Sequence, residues 1–140
     1  TQGNKYRKKT WPIASFIKLA QECLNKGKKL VFFVEKSEID LVNAINREIP
    51  EAIFPEHKSK ISCPALITAL ASRLEGAVSI DNGVMHMMNL ANIPMIVLFG
   101  PTDSDKFAPR RKNVHVLDSK KLYSSKDISE ITVSDVLKFL

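Results

Sequence analysis

Within six residues, Asp81-Asn82-Gly83-Val84-Met85-His86 presents a carboxylate, an amide, a glycine and an imidazole, directly after the apolar run Ala77 to Ile80. A strand that stops in an acid and turns through Asn-Gly into a helix leaves the first helical N–H groups unpaired. Those amides, together with the helix macrodipole, attract phosphate. His86 lies in the first turns of that helix, and helical side chains lean toward the N-terminus, so its ring can reach the same place. As imidazolium it offsets charge on a departing phosphate; as neutral imidazole it only hydrogen-bonds. The same residues have plainer uses. Asp-Asn-Gly is good turn chemistry in any protein, Asp81 can fix its loop by accepting amides rather than orient hydroxyls, and His86 can pack among Met85, Met87 and Met88. No second carboxylate stands at a metal-ligand spacing from Asp81, so no metal is expected.

A second strand end follows closely. Met95 to Phe99 is the clearest apolar run in the chain and closes in Gly100-Pro101-Thr102-Asp103. In an open α/β sheet, ligands sit beyond the carboxyl ends of the strands, and here two consecutive strand ends carry polar residues. Gly100 to Asp103 can line a pocket or simply turn the chain. Basic residues collect at Lys5 to Lys9, Lys26 to Lys29 and Arg110 to Lys112, and Arg110 and Arg111 either add positive field near a phosphate or form a solvated pair.

The elements that must hold these groups alternate in type. Pro12 suits the first helical position, and Ile13, Phe16, Ile17, Ala20, Cys23 and Leu24 recur at helical spacing until Gly27. Leu30 to Val34 reads as a strand covered on both faces. Ser37 with Asp40 forms a capping-box pattern for a helix burying Leu41, Val42, Ile45 and Ile49. Ile53-Phe54 is a weak strand, and Ser62 caps a helix running through Pro64, Leu66, Ile67 and Leu70 to Arg73. Then come the strand Ala77 to Ile80, a helix Gly83 to Asn92, the strands Met95 to Phe99 and Val114 to Leu117, and a helix Val133 to Leu140 capped by Thr132 and Asp135. Such alternation calls for a Rossmann-like parallel sheet flanked by helices, of α/β class, with right-handed crossovers.

The 140 residues make a single domain, 1–140, with 44% hydrophobic and 26% charged residues, a globular composition. No apolar run approaches the roughly 20 residues of a membrane helix, and the basic start has no apolar segment behind it, so no secretory leader is expected. Cys23 and Cys63 are isolated and read as free thiols of a reducing compartment. The expected place is the cytoplasm or the inner face of the cytoplasmic membrane. A formal charge of +6 is compatible with nucleic acid, an anionic membrane surface or an anionic small ligand, but no nucleic-acid recognition motif accompanies it, and no nucleic-acid partner is expected.

Taken in order, Lys9-Thr10-Trp11-Pro12, an acid after the next strand, Asp81-Asn82-Gly83-Val84-Met85-His86, and Phe99-Gly100-Pro101-Thr102-Asp103 with Phe107-Ala108-Pro109 resemble the C-terminal half of glycosyltransferase family nine, the ADP-heptose:lipopolysaccharide heptosyltransferases and their relatives. The likeness spans nearly the whole chain. It implies the nucleotide-sugar-binding domain of a GT-B protein, with inverting, metal-independent sugar transfer in lipopolysaccharide or other cell-envelope glycan assembly. By this resemblance Asn82 and Gly83 hold the donor diphosphate, His86 and Lys9 (or Lys8, one residue out of register) stabilise the leaving diphosphate, and Glu38 (or Glu35) binds the ribose; Asp81 is read as donor-binding, orienting the sugar's hydroxyls or fixing the loop. Ile61 and Ser62 border the base. Asn82 departs from the family's usual Thr or Ser.

The resemblance further implies an ADP-sugar or other nucleotide-sugar as donor, no cofactor, and a glycan or lipid acceptor that meets the site through an N-terminal domain carrying the general base. Without that domain, weak donor binding and no turnover are expected. The family's first strand leads into the loop in which this sequence begins, so a truncated sheet is expected, with a gap, an exposed edge or a borrowed strand, and such an edge invites pairing or dimerisation. Two competing functions remain on the same fold: a non-catalytic basic scaffold and a nucleic-acid-binding domain.

Overall fold

The computed structural model describes residues 9–61 and 63–140. Three parallel strands, β1 (Ala77–Ile80), β2 (Met95–Phe99) and β3 (Val114–Asp118), form one sheet in the order β1-β2-β3. Ile80 pairs with Leu98, and Leu98 with Leu117, so the carboxyl ends of the strands are level and Asp81 follows β1 where Phe99 and Asp118 pair. All five residues of β2 are buried, as a continuous apolar run demands of a central parallel strand.

The side chains of β2 alternate between two cores. Ile96 and Leu98 face Trp11, Leu19, Ile128, Ile131 and Val136, which brings α1 (Ile13–Asn25) and α8 (Val133–Leu137) onto one face. Met95, Val97 and Phe99 face Ala71, Met85, Met88 and Ile93, bringing α4 (Pro64–Ala71) and α5 (Gly83–Leu90) onto the other. A third, smaller core of Val34, Ile45 and Phe54 lies under α2 (Ile39–Glu48). Short helices α3 (Pro55–Lys58), α6 (Ser104–Phe107) and α7 (Ser119–Tyr123) and a 3-10 turn at Ile128–Glu130 complete the described residues.

The α/β class and the parallel sheet are as expected. The weaker strands are not. Leu30 to Val34 and Ile53-Phe54 meet only in a parallel bridge, Val31 with Ile53, held by Phe32 N–H to Ile53 O at 2.9 Å and Ile53 N–H to Leu30 O at 3.0 Å. Among the described residues the pairing goes no further than this bridge, so no ladder forms. β1 pairs with β2 alone among the described residues.

Several helix ends move by one to three residues. Pro12 is the residue before α1, not its first residue, with extended ψ of 136°. α4 ends at Ala71, α5 at Leu90 and α8 at Leu137, each short of the expected Arg73, Asn92 and Leu140. Asn92, at φ 56°, takes the left-handed conformation that stops α5 from continuing. The Thr132–Asp135 capping box forms as read, whereas that of Ser37 and Asp40 does not: Glu38 occupies the position before α2 without a side-chain cap. The cap expected from Ser62 lies outside the described residues; Cys63 directly precedes α4, with Pro64 at its start.

Candidate functional site

Lys9 reaches the sheet because Trp11, two residues on, is an anchor. The indole is fully buried, stacks edge-on against Phe16 at 4.9 Å and donates from Nε1 to Ile131 O at 2.8 Å. That fixes the chain just before α1, and Lys9 Nζ donates to Asp81 Oδ2 at 3.1 Å across 72 residues of sequence. With Lys9 side-chain exposure at 25% and that of Asp81 at 11%, the pair is partly withdrawn from water, where charge-assisted hydrogen bonds are stronger than at an open surface. Lys8 lies outside the described residues; Lys9 is the lysine found at Asp81.

Beside this pair, α5 begins. Asn82 is its N-cap, in extended backbone at φ −153°, and its Oδ1 accepts Met85 N–H at 3.0 Å. One of the helix's unpaired donors is thereby satisfied, while the N–H groups of Gly83 and Val84 stand at the open first turn. The side-chain carbonyl of Asn82 is committed to the cap, and its NH2 keeps two donors of its own.

Gly83 departs from the expectation that a tight turn requires it. Its φ is not in the left-handed region, and a Cβ built there meets nothing within 4 Å. The backbone would accept other residues, and a side chain here would enter open space. His86 is exposed while Met85 and Met88 are buried. The packed-histidine alternative therefore fails, since the methionines fill the core and the imidazole faces solvent on the first turns of the helix. Carboxylate, ammonium and capped helix start are thus assembled at the carboxyl end of β1, and the imidazole is exposed on the first turns of the same helix.

The sequence model of glycosyltransferase family 9 (heptosyltransferase) matches residues 1–136. The chain belongs to glycosyltransferase family 9. Lipooligosaccharide heptosyltransferase 2 of Haemophilus influenzae is 27% identical over 103 residues, 72% of this chain and 30% of that protein. The crystal structure of a family 9 glycosyl transferase from Veillonella parvula superposes with a TM-score of 0.78 at 22% identity, covering 97% of this chain and 42% of that one. E. coli heptosyltransferase WaaC with ADP gives a TM-score of 0.79 at 19% identity, covering 98% and 41% respectively. The chain therefore spans well under half the length of these relatives, and at these identities the structural likeness is one of fold.

Among the described residues, the others marked by the family 9 resemblance make no bond to this cluster. Glu38 is half-buried at the head of α2, and Glu35, whose carbonyl accepts Glu38 N–H at 3.0 Å, is exposed. Both lie by the Val31–Ile53 bridge, and no hydrogen bond or ion pair joins either to Lys9 or Asp81 among the described residues. Ile61 is 63% exposed; Ser62 lies outside the described residues.

Gly100 to Asp103 does structural work. A Cβ on Gly100 would lie 2.8 Å from Ile128 Cβ, Thr102 is buried with its carbonyl accepting Lys120 Nζ at 2.5 Å, and Asp103 caps α6. Each arginine has a partner of its own, and Arg111 is held away from the start of α5. Arg110 Nη2 bonds Asp105 O at 3.1 Å, and Arg111 Nη1 bonds Asn92 Oδ1 at 2.7 Å, beyond the far end of an eight-residue helix that is about 12 Å long.

Sequence reading gave no role to Asp118, which is 2% exposed. It accepts Ser104 Oγ at 2.6 Å and Lys120 N–H at 2.9 Å, tying α6 to α7. An acid directly after the apolar run Val114 to Leu117 was the available sign, the same one that marks Asp81.

Proposed function

We propose that this chain is the donor-binding part of a family 9 glycosyltransferase, taking an ADP-sugar or a closely related nucleotide-sugar for transfer to a lipopolysaccharide or other cell-envelope glycan acceptor. The observation that carries the reading is the Lys9–Asp81 ion pair next to the Asn82-capped start of α5, the helix on which His86 is exposed. A diphosphate fits there as a bridge between the Gly83 and Val84 N–H groups and the Lys9 ammonium. The solved relative holding ADP supports the choice of nucleotide.

In the transfer, the acceptor hydroxyl attacks the anomeric carbon and the bond to the diphosphate breaks, so negative charge grows on the leaving oxygen. Lys9 follows that charge on a flexible stem, the α5 amides and macrodipole are already oriented toward it, and His86 adds charge or a hydrogen bond according to its protonation. Asp81 holds Lys9 before the donor arrives and becomes available to sugar hydroxyls once the ammonium turns to phosphate. Glu38 is assigned to the ribose as the carboxylate at the end of the second segment of a Rossmann-like fold. The general base and acceptor contacts belong to an N-terminal domain in this reading, the chain alone is inactive, and the enzyme works at the cytoplasmic side of the membrane.

Calorimetric titration with ADP tests the assignment. Lys9→Met and His86→Ala are each expected to weaken binding by about tenfold or more, the loss of one charge-assisted contact, with circular dichroism unchanged. Retention of full ADP affinity by both variants would contradict it.

A further inference from the structure

β3 ends the sheet on the side opposite β1, and among the described residues it pairs with β2 alone. Met95 N–H donates to Asn113 O at 2.9 Å, and Val97 stands in register with Val116. Backbone groups of successive residues in a strand face opposite sides, so His115 and Leu117 turn theirs to β2 and Val116 turns its own outward. Its N–H and C=O have no partner among the described residues, and the residue is 37% exposed. The Val116 side chain helps line an open hollow of about 320 Å³, whose wall includes Asp105, Ala108, Pro109, Arg110 and Lys121. On the other face of β3, His115 is exposed, with its ring 4.7 Å from that of half-exposed Phe139.

We propose that this edge of β3 accepts an extended, acidic segment of a protein partner as an added strand. An open strand edge supplies main-chain hydrogen bonds, and hollows for alternate side chains supply selectivity. The partner residue opposite Val116 points its side chain to the same face as Val116 and so enters the hollow, where Ala108, Pro109 and Val116 offer apolar contact. Arg110 and Lys121 share that wall. Arg110 uses one of its five donors on Asp105 O at 3.1 Å, and Lys121 is paired with exposed Asp105. Residues 110–121 hold five Lys or Arg and a single acid, Asp118, which is 2% exposed and bonded to Ser104. This charge decides the occupant. A second copy paired antiparallel about Val116 would bring Lys112 toward Lys120 and Arg111 toward Lys121, and cations on an edge strand oppose such self-pairing. An acidic segment meets the same cations as attraction. The inference rests on β3 and stands whether or not ADP binds beside β1.

The test is fluorescence anisotropy of a labelled, end-capped peptide, threonine-glutamate-valine-valine-valine-glutamate-threonine, titrated with the 140-residue chain. With its central valine opposite Val116, both glutamates lie on the face of the hollow. Saturable binding is expected, weakening as salt is raised from about 0.1 M to about 0.5 M, with slower hydrogen exchange at the Val116 N–H. Lysine in place of both glutamates is expected to abolish binding, and N-methylation of the central valine, which removes one main-chain donor, to weaken it by about fivefold or more. The double variant Arg110→Gln, Lys121→Gln is expected to weaken it by about threefold to tenfold, with circular dichroism unchanged. No binding of the acidic peptide, or equal binding of the lysine or the N-methylated peptide, would overturn the proposal. So would protection of the Val116 N–H that grows with protein concentration in the absence of peptide, since that would assign the edge to a second copy.

Discussion

Replacing Gly83 by Ala separates folding from ligand binding more cleanly than any other single change. A Cβ at this position meets no atom within 4 Å, the backbone there is not left-handed, and the residue opens α5. Alanine should therefore cost the fold nothing, and by lowering the entropy of the unfolded chain and favouring helix it should add up to about 1 kcal/mol of stability. The methyl group would occupy the space through which a phosphate oxygen must approach the first amides of the helix, at roughly 2.9 Å. Losing one charge-assisted hydrogen bond costs about 1.5 to 3 kcal/mol, so ADP affinity should fall by roughly tenfold to a hundredfold. Urea denaturation reads the first quantity and calorimetric titration with ADP the second. Undiminished ADP affinity in a protein of equal or greater stability would refute the placement of the diphosphate at α5. A loss of stability beyond about 1 kcal/mol would refute the account of the space itself, since nothing should be displaced.

Two further changes probe the scaffold. Gly100→Ala places a methyl 2.8 Å from Ile128 Cβ and 3.1 Å from Ile128 N; overpacking of this kind costs about 1 to 3 kcal/mol, and calorimetry should show Tm lower by roughly 3 to 10 °C, whereas an unchanged Tm would mean that the 3-10 turn shifts freely. At Asp135, burial alone would raise the carboxyl, but hydrogen bonds from Tyr123, Thr132 and Lys138 outweigh it and hold the group well below the usual carboxylate range. Its folded pKa is thus depressed, so its contribution is present above the unfolded value of about 4 and is lost as pH falls toward the folded one. Asp135→Asn should therefore cost about 1 to 2 kcal/mol at neutral pH, with the gap to the wild type closing below about pH 4; denaturation curves showing a gap of constant size across that range would contradict this.

What was legible in the sequence depended on how local its cause is. β1, β2 and α5 were placed within two residues because each is an apolar run bounded by its own stop, such as Asp81-Asn82 or Gly100-Pro101. The Thr132–Asp135 cap was readable because both partners lie within one turn. Leu30 to Val34 has an equally apolar sequence but forms one bridge, because strand formation depends on what lies beside it. α3, α6 and α7, of four or five residues, are too short to show a helical period. Near β1, the motif singled out Lys9, Asp81, Asn82, Gly83 and His86, but not that Lys9 and Asp81 pair directly, nor that the Gly83 backbone is not left-handed and leaves room for a Cβ. Arg110 and Arg111 could not be placed from composition, since their fixed positions come from Asp105 and Asn92.

The most direct test of the central claim is an ADP titration of the isotopically labelled chain followed by amide resonances. Progressive, saturable shifts at Gly83 and Val84, together with the His86 ring and the Lys9 side chain, are the expected result, since these groups are to surround the diphosphate at the end of β1. Saturable shifts confined to other parts of the surface, or none at millimolar ADP, would show that this cluster does not hold the nucleotide.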